Sequence, residues 1–115
     1  MTNLYDAAYD MEKAIRNSAE YAQLRKMYDE VYKDETAKRM FENFRNIQME
    51  LQQKQMMGYD ITEEEVQHAQ KTVALVGQHA TIAKLMEAEQ RMSMIIGELN
   101  RIIMMPLEDL YGPME

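Results

Sequence analysis

Among the residues able to do chemistry, the pair with the most suggestive spacing is Glu65 and His68 in Glu65-Val66-Gln67-His68. A Glu-x-x-His segment on a helix aims two ligands from one face, as di-iron bundles use it. Such a centre needs a second Glu-x-x-His and two further inward glutamates. The other histidine, His79, is preceded three positions earlier by Val76, and Glu65 has a competing role at a helix start. A solvated helix face is the expected reading, and no metal is expected here.

Nucleophilic and phosphate chemistry lack their frames. Ser18 and Ser93 sit in helical contexts without a strand-turn-helix elbow, and Gly58, Gly77, Gly97 and Gly112 are too scattered to build a phosphate-cradling loop. Tyr21 and Tyr28 fall on an inferred core stripe, where a tyrosine buries its ring and keeps its hydroxyl at the edge. No catalytic or cofactor-binding residue is expected, and the chain reads as a non-enzyme with no cofactor. Glu89 is the informative carboxylate, because it interrupts the apolar row Ile82, Leu85, Met86, Met92 and Ile96. Either it is a buried charge paired with Arg91, Arg45 or a tyrosine hydroxyl, or it marks a rim open to water.

The elements that carry these residues read as helices throughout. Asn3 can cap a first helix with Leu4, Ala7, Ala8, Met11, Ala14 and Ile15 on one stripe. Asn17-Ser18-Ala19-Glu20 has the form of a capping box that opens a second helix, with Tyr21, Leu24, Tyr28 and Val31 inward. Asp34 can cap a third, carrying Ala37, Met40, Phe41, Phe44, Ile47 and Leu51 to a stop at Gly58. Gly58-Tyr59-Asp60 is short enough to send the next helix back antiparallel.

Thr62-Glu63-Glu64-Glu65 is a second capping box, flanked by Ile61 and Val66 as a hydrophobic staple. The helix it opens places Val66, Ala69, Val73 and Val76 inward, with Gly77 as its terminator. A last helix begins between His79 and Thr81 and is expected to stop at Pro106. The spacing thus predicts a single all-α domain over residues 1–115, a bundle of five helices built around a long antiparallel hairpin. The helices span roughly 3–16, 18–33, 35–57, 63–76 and 80–105, followed by a flexible tail over about 107–115.

A shift of 45 residues brings many landmarks into coincidence. Tyr21, Leu24, Tyr28 and Val31 meet Val66, Ala69, Val73 and Val76, while Thr36, Glu42 and Met49 meet the identical Thr81, Glu87 and Met94. Two pseudo-repeated helix pairs would give this pattern, and so would the shared apolar phase of any two amphipathic helix pairs.

The last helix has more apolar surface than one neighbour covers: Met94, Ile95, Ile96, Leu99, Ile102, Ile103, Met104 and Met105 span more than half its circumference. Self-association, most simply as a homodimer, would cover it, with Met94, Ile95, Leu99, Ile102 and Ile103 as the candidate interface. The 13 methionines suit adaptable helix-groove contacts as well as gap filling.

Composition excludes several classes. Thirteen basic against 20 acidic residues leave a net charge of −7, and the densest basic stretch, Arg25 to Arg45, is interleaved with Asp29, Glu30, Asp34, Glu35 and Glu42, so nucleic acid is not an expected partner. No membrane association is expected either. Apolar runs such as Ile102 to Met105 are far below spanning length, and Glu87, Glu89 and Glu98 offset Arg91 and Arg101 on the last helix. The N-terminus has no signal-peptide character, and the expected location is cytoplasmic. With no cysteine, disulfides and thiolate sites are out of reach.

The run Thr81-Ile82-Ala83-Lys84-Leu85-Met86-Glu87-Ala88-Glu89-Gln90-Arg91-Met92, followed by Leu99-Asn100-Arg101-Ile102-Ile103, resembles the C-terminal Ala-Glu-centred helix of the YlbF/YmcA family of small bacterial helical proteins. The segment Phe44 to Gly58, with Leu51-Gln52-Gln53-Lys54-Gln55, looks like the glutamine-rich hairpin tip of that family. The resemblance covers nearly the whole chain. It implies an all-helical fold and a role as a non-catalytic partner in regulatory complexes, which in the family are linked to competence, biofilm formation, sporulation and ribonuclease-dependent RNA processing. Some of those complexes are associated with iron-sulfur clusters. This chain departs there, since without cysteine it supplies no thiolate ligand.

The expected function is therefore a non-catalytic interaction or regulatory adaptor that self-associates and binds another protein whose identity the residues leave blank. A small-molecule or metal-binding helical bundle is the alternative.

Overall fold

The computed structural model describes residues 3–112, and among them every regular element is an α-helix. In chain order these are α1 (Leu4–Arg16), α2 (Ala19–Lys33), α3 (Glu35–Met56), α4 (Glu63–Gln78) and α5 (Ala80–Tyr111). The all-α bundle expected from the periodicity is the observed class.

The starts of these helices are chemically explicit. Asn3 accepts from the Tyr5 amide at 2.8 Å, and Asp34 from the Thr36 and Ala37 amides at 3.0 and 3.2 Å, each satisfying donors that the first turn leaves unpaired. At α4 the capping box is complete: the Glu65 amide donates to Thr62 Oγ1 at 3.2 Å, and the Thr62 amide to Glu65 Oε1 at 3.1 Å. The box expected at Asn17 takes another form. Asn17 closes α1, its amide donating to the Lys13 carbonyl, and Ser18 caps α2 by accepting from the Tyr21 amide at 3.2 Å. α2 starts at Ala19, one residue later than expected, so Ser18 rather than Asn17 stands at the position whose side chain reaches the free donor.

The reversal between α3 and α4 rests on Gly58, whose φ of 77° is open to glycine at little cost. The Tyr59 amide donates to the Lys54 carbonyl at 2.9 Å and the Gly58 amide to the Gln55 carbonyl at 3.2 Å, a Schellman closure. α4 then returns along α3, with Lys54 and Glu65 joined as an ion pair across the hairpin.

Pro106 does not stop α5, which continues to Tyr111. Proline removes one amide donor, and Pro106 lies on an exposed part of the helix where water can serve the orphaned carbonyl. The stop comes at Gly112, with φ 87° and its amide donating to the Glu108 carbonyl at 2.7 Å. Leu107 to Tyr111 are thus helix rather than flexible tail, and residues 113–115 lie outside the described range. Gly77 likewise lies inside α4, which runs one residue further.

The chain divides into two compact units. One takes α2 from Arg25, α3, α4 and α5 as far as Met86, and holds Val31, Phe41, Val76, Ile82 and Leu85 as its most completely buried large side chains. The other takes α1, α2 through Leu24 and α5 from Glu87. Ala88 and Met92 are its only fully buried residues among those described, and α1 has none.

Candidate functional site

The two units differ in how their helices are covered, and that difference locates the surface of interest. In the unit of α3 and α4, the stripe Ala37, Phe41 and Phe44 follows the three-four spacing of a helix face and is buried along its length. Tyr32 packs edge-on against Phe41 at 6.4 Å between centroids, and Tyr28 stacks on Tyr32 at 4.3 Å. Burial, and then the neighbouring Tyr28 hydroxyl, push the Tyr32 phenol above its ordinary range. Lys38 lies over the Tyr32 ring and Arg45 over Phe41, so this aromatic row is edged with cations.

The sequence-derived candidate chemistry dissolves into helix capping. Glu65 holds Thr62 and pairs with Lys54, whose ammonium, followed by the Thr62 amide, keeps its carboxyl below the usual glutamate range. His68 is exposed, and its backbone carbonyl accepts the Thr72 hydroxyl at 2.8 Å. Among the described residues no group of three His, Cys, Asp or Glu could hold a metal ion. His79 approaches Asp34 at 3.9 Å, beyond hydrogen-bond reach, and its Nδ1 is enclosed without a protein partner.

In the other unit the proposed interface residues separate into two groups. Ile95 and Leu99 are half-buried and, with Met92, line a shallow apolar depression against Met11, Ala14 and Ile15 of α1. Met94, Ile102 and Ile103 remain 62, 54 and 56 % exposed. Glu89 is half-buried and not without a partner.

The exposed apolar set is broader than those five positions. Leu4, Tyr5 and Tyr9 on α1, and Ile96, Met105, Leu107, Leu110 and Tyr111 on α5, also face solvent. The pattern around α1 could have signalled this: a 13-residue helix with one narrow apolar stripe cannot cover the much longer end of α5. Together with Met94, Ile102 and Ile103 these side chains leave apolar surface exposed on several sides of α5, since at about 100° per residue Met94 and Met105 lie opposite Ile96, Ile103, Leu107 and Leu110. Exposed apolar side chains of this kind can bind a protein surface. No described helix is long and apolar enough to cross a membrane.

Comparison with known proteins agrees with the helical layout. Residues 4–108 match the family model described as control of competence regulator ComK, YlbF/YmcA. The chain is similar to a UPF0342 protein of Bacillus velezensis, 71 % identical over 96 % of this chain and 95 % of that one. It is also similar to the UPF0342 protein YheA of Bacillus subtilis, 67 % identical over 98 % of this chain and 97 % of the relative. Among solved structures, a Bacillus stearothermophilus protein of unknown function (DUF964) superposes with a TM-score of 0.87 at 45 % identity, covering 97 % of this chain and 98 % of its own.

Proposed function

Because the chain belongs to the YlbF/YmcA family, whose description concerns control of a competence regulator, we propose that it is a cytosolic, non-catalytic regulatory adaptor acting through protein-protein contacts and self-association. The observation that carries this reading is the solvent-facing apolar surface of α1 and the end of α5, in a unit with only two fully buried residues among those described. Uncovered apolar surface of this extent is costly in water and is offset when a partner removes it. The family description supports a regulatory role.

Sedimentation velocity at micromolar concentration and crosslinking in the native cell test the proposal together. Oligomer formation, or recovery of a specific crosslinked protein that is lost on Leu110→Ser, is the expected result. A monomer throughout with no crosslinked partner would falsify it.

A further inference from the structure

The end of α5 carries a second pattern, independent of its apolar content. Arg91, Met94, Glu98, Arg101, Met105 and Glu108 follow one another at steps of three, four, three, four and three. That alternation places all six on one stripe of the helix, with the heptad spacing of a helix-helix seam. It is a different stripe from the one formed by Met92, Ile95 and Leu99 beside α1. Met94 and Met105 are 62 and 51 % exposed, Arg91, Glu98 and Arg101 are exposed, and Glu108 is half-buried.

Read in opposite directions the stripe is complementary to itself. An antiparallel copy, related by a two-fold axis between Leu99 and Asn100, sets Arg91 opposite Glu108, Met94 opposite Met105, and Glu98 opposite Arg101. Each layer then joins the two alternating heptad positions, as antiparallel helices require, and no layer opposes like charges. A parallel copy would put Arg91 on Arg91, Glu98 on Glu98 and Arg101 on Arg101, which repels in most layers. Arg91 makes an exposed i, i+4 contact with Glu87 at 3.2 Å, which a new partner can replace at small cost.

We propose that a second copy of this chain docks antiparallel along the Arg91-Met94-Glu98-Arg101-Met105-Glu108 stripe of α5, with charge pairs setting the register. This rests on the self-association reading above for the existence of a dimer, and of the exposed apolar residues it covers Met94, Met105 and Ile102 while leaving Ile96, Ile103, Leu107 and Leu110 on the far side of α5. The exposed Ile102 flanks the seam and adds apolar cover.

The test is a charge swap read by sedimentation equilibrium. Glu98→Arg and Arg101→Glu each place like charges in two layers of the symmetric dimer, and each is expected to weaken self-association about tenfold or more. The double variant reverses both charges and is expected to restore the wild-type dissociation constant, and an equimolar mixture of the two single variants is expected to form a heterodimer. Circular dichroism melts establish that each variant folds. Since the chain has no cysteine, Met94→Cys combined with Met105→Cys provides a second readout, an interchain disulfide under mild oxidation. A dimer indifferent to both single reversals overturns this register while leaving the adaptor reading standing. A wild-type monomer overturns the register too, and the adaptor reading then stands or falls on the crosslinked partner.

Discussion

Asp34 and His79, 45 positions apart, meet with Oδ2 and Nε2 3.9 Å apart, each at the break between a short helix and a longer one. The two breaks share their backbone form. The Asp34 amide donates to the Val31 carbonyl and the His79 amide to the Val76 carbonyl, both at 3.2 Å, and both valines are buried. Each carbonyl at the break then accepts from the residue four ahead, Lys38 at 2.8 Å and Ala83 at 2.9 Å. The two helix breaks lie 45 residues apart, and burial matches across that shift at Met27 and Thr72, Val31 and Val76, and Ala37 and Ile82, but not at exposed Asn43 and buried Ala88.

Asp34 has two roles at this junction, a cap for α3 and a charge near His79, and two substitutions separate them. Asp34→Ala is expected to lose about 1 kcal/mol of stability in urea denaturation, the usual cost of an N-cap. Asp34→Asn keeps an acceptor for the Thr36 and Ala37 amides and is expected to lose markedly less. Equal losses for the two variants would assign the effect to the charge instead of the cap.

Much of this junction was legible in the residues, and what was missed has physical causes. Asp34 and Thr62 could be named as caps because a side-chain acceptor at a phase break has one local use. The inward face of α4 was harder. Val66 and Val73 were expected inside but are 41 and 45 % exposed, whereas Thr72 is 6 % exposed beside buried Val76. Thr72 donates its hydroxyl to the His68 carbonyl at 2.8 Å, so burial leaves no polar group unpaired and its methyl packs like that of valine. In α2 the core line is Met27 and Val31, and Tyr28, expected inside, sits beside that line, 44 % exposed and stacked on Tyr32. Which faces stay bare on α5 depended on the extent of α1, a tertiary fact that the periodicity of α5 does not contain.

Gly58 gives a conformational prediction. Its φ of 77° is strained for any residue with a Cβ, although no atom lies within 4 Å of where that Cβ would be. Gly58→Ala should therefore cost about 1 kcal/mol through backbone strain alone. Gly58→Asn should cost less, because asparagine tolerates the left-handed region. Thermal melts that rank the two variants the other way would place the constraint in packing instead.

Glu65 contributes to the acid limb of stability. Its pKa is lowered in the folded chain by Lys54 and by the Thr62 amide, so the folded state binds this proton less readily than the unfolded state does. The resulting contribution is fully present above the unfolded glutamate value of about 4.3, and it is lost as pH falls through the lower folded value. In Glu65→Gln the drop in melting temperature below about pH 4.3 should be shallower than in the wild type, with lower stability at neutral pH. Parallel acid limbs for the two proteins would show that the carboxylate is not linked to folding.

Pro106 offers the sharpest test of how α5 ends. A proline inside a helix costs one backbone hydrogen bond and a clash with the turn before it, so α5 continues past it only because Leu107 to Tyr111 retain their own bonds and Gly112 closes them. Pro106→Ala supplies the missing amide, which can donate to the Ile102 carbonyl. If the helix is continuous, that bond forms without rearrangement, and hydrogen exchange over residues 103–111 should slow by about tenfold, part of the roughly 3 kcal/mol by which proline disfavours a helix interior. Proline also restricts the unfolded chain, so some of the gain in global stability is offset. Local exchange therefore reads the effect more directly than the melting temperature does. Unchanged exchange across that segment would mean that the chain beyond Pro106 is not held as a continuation of α5, and the part of the self-complementary stripe that reaches Glu108 would lose its support.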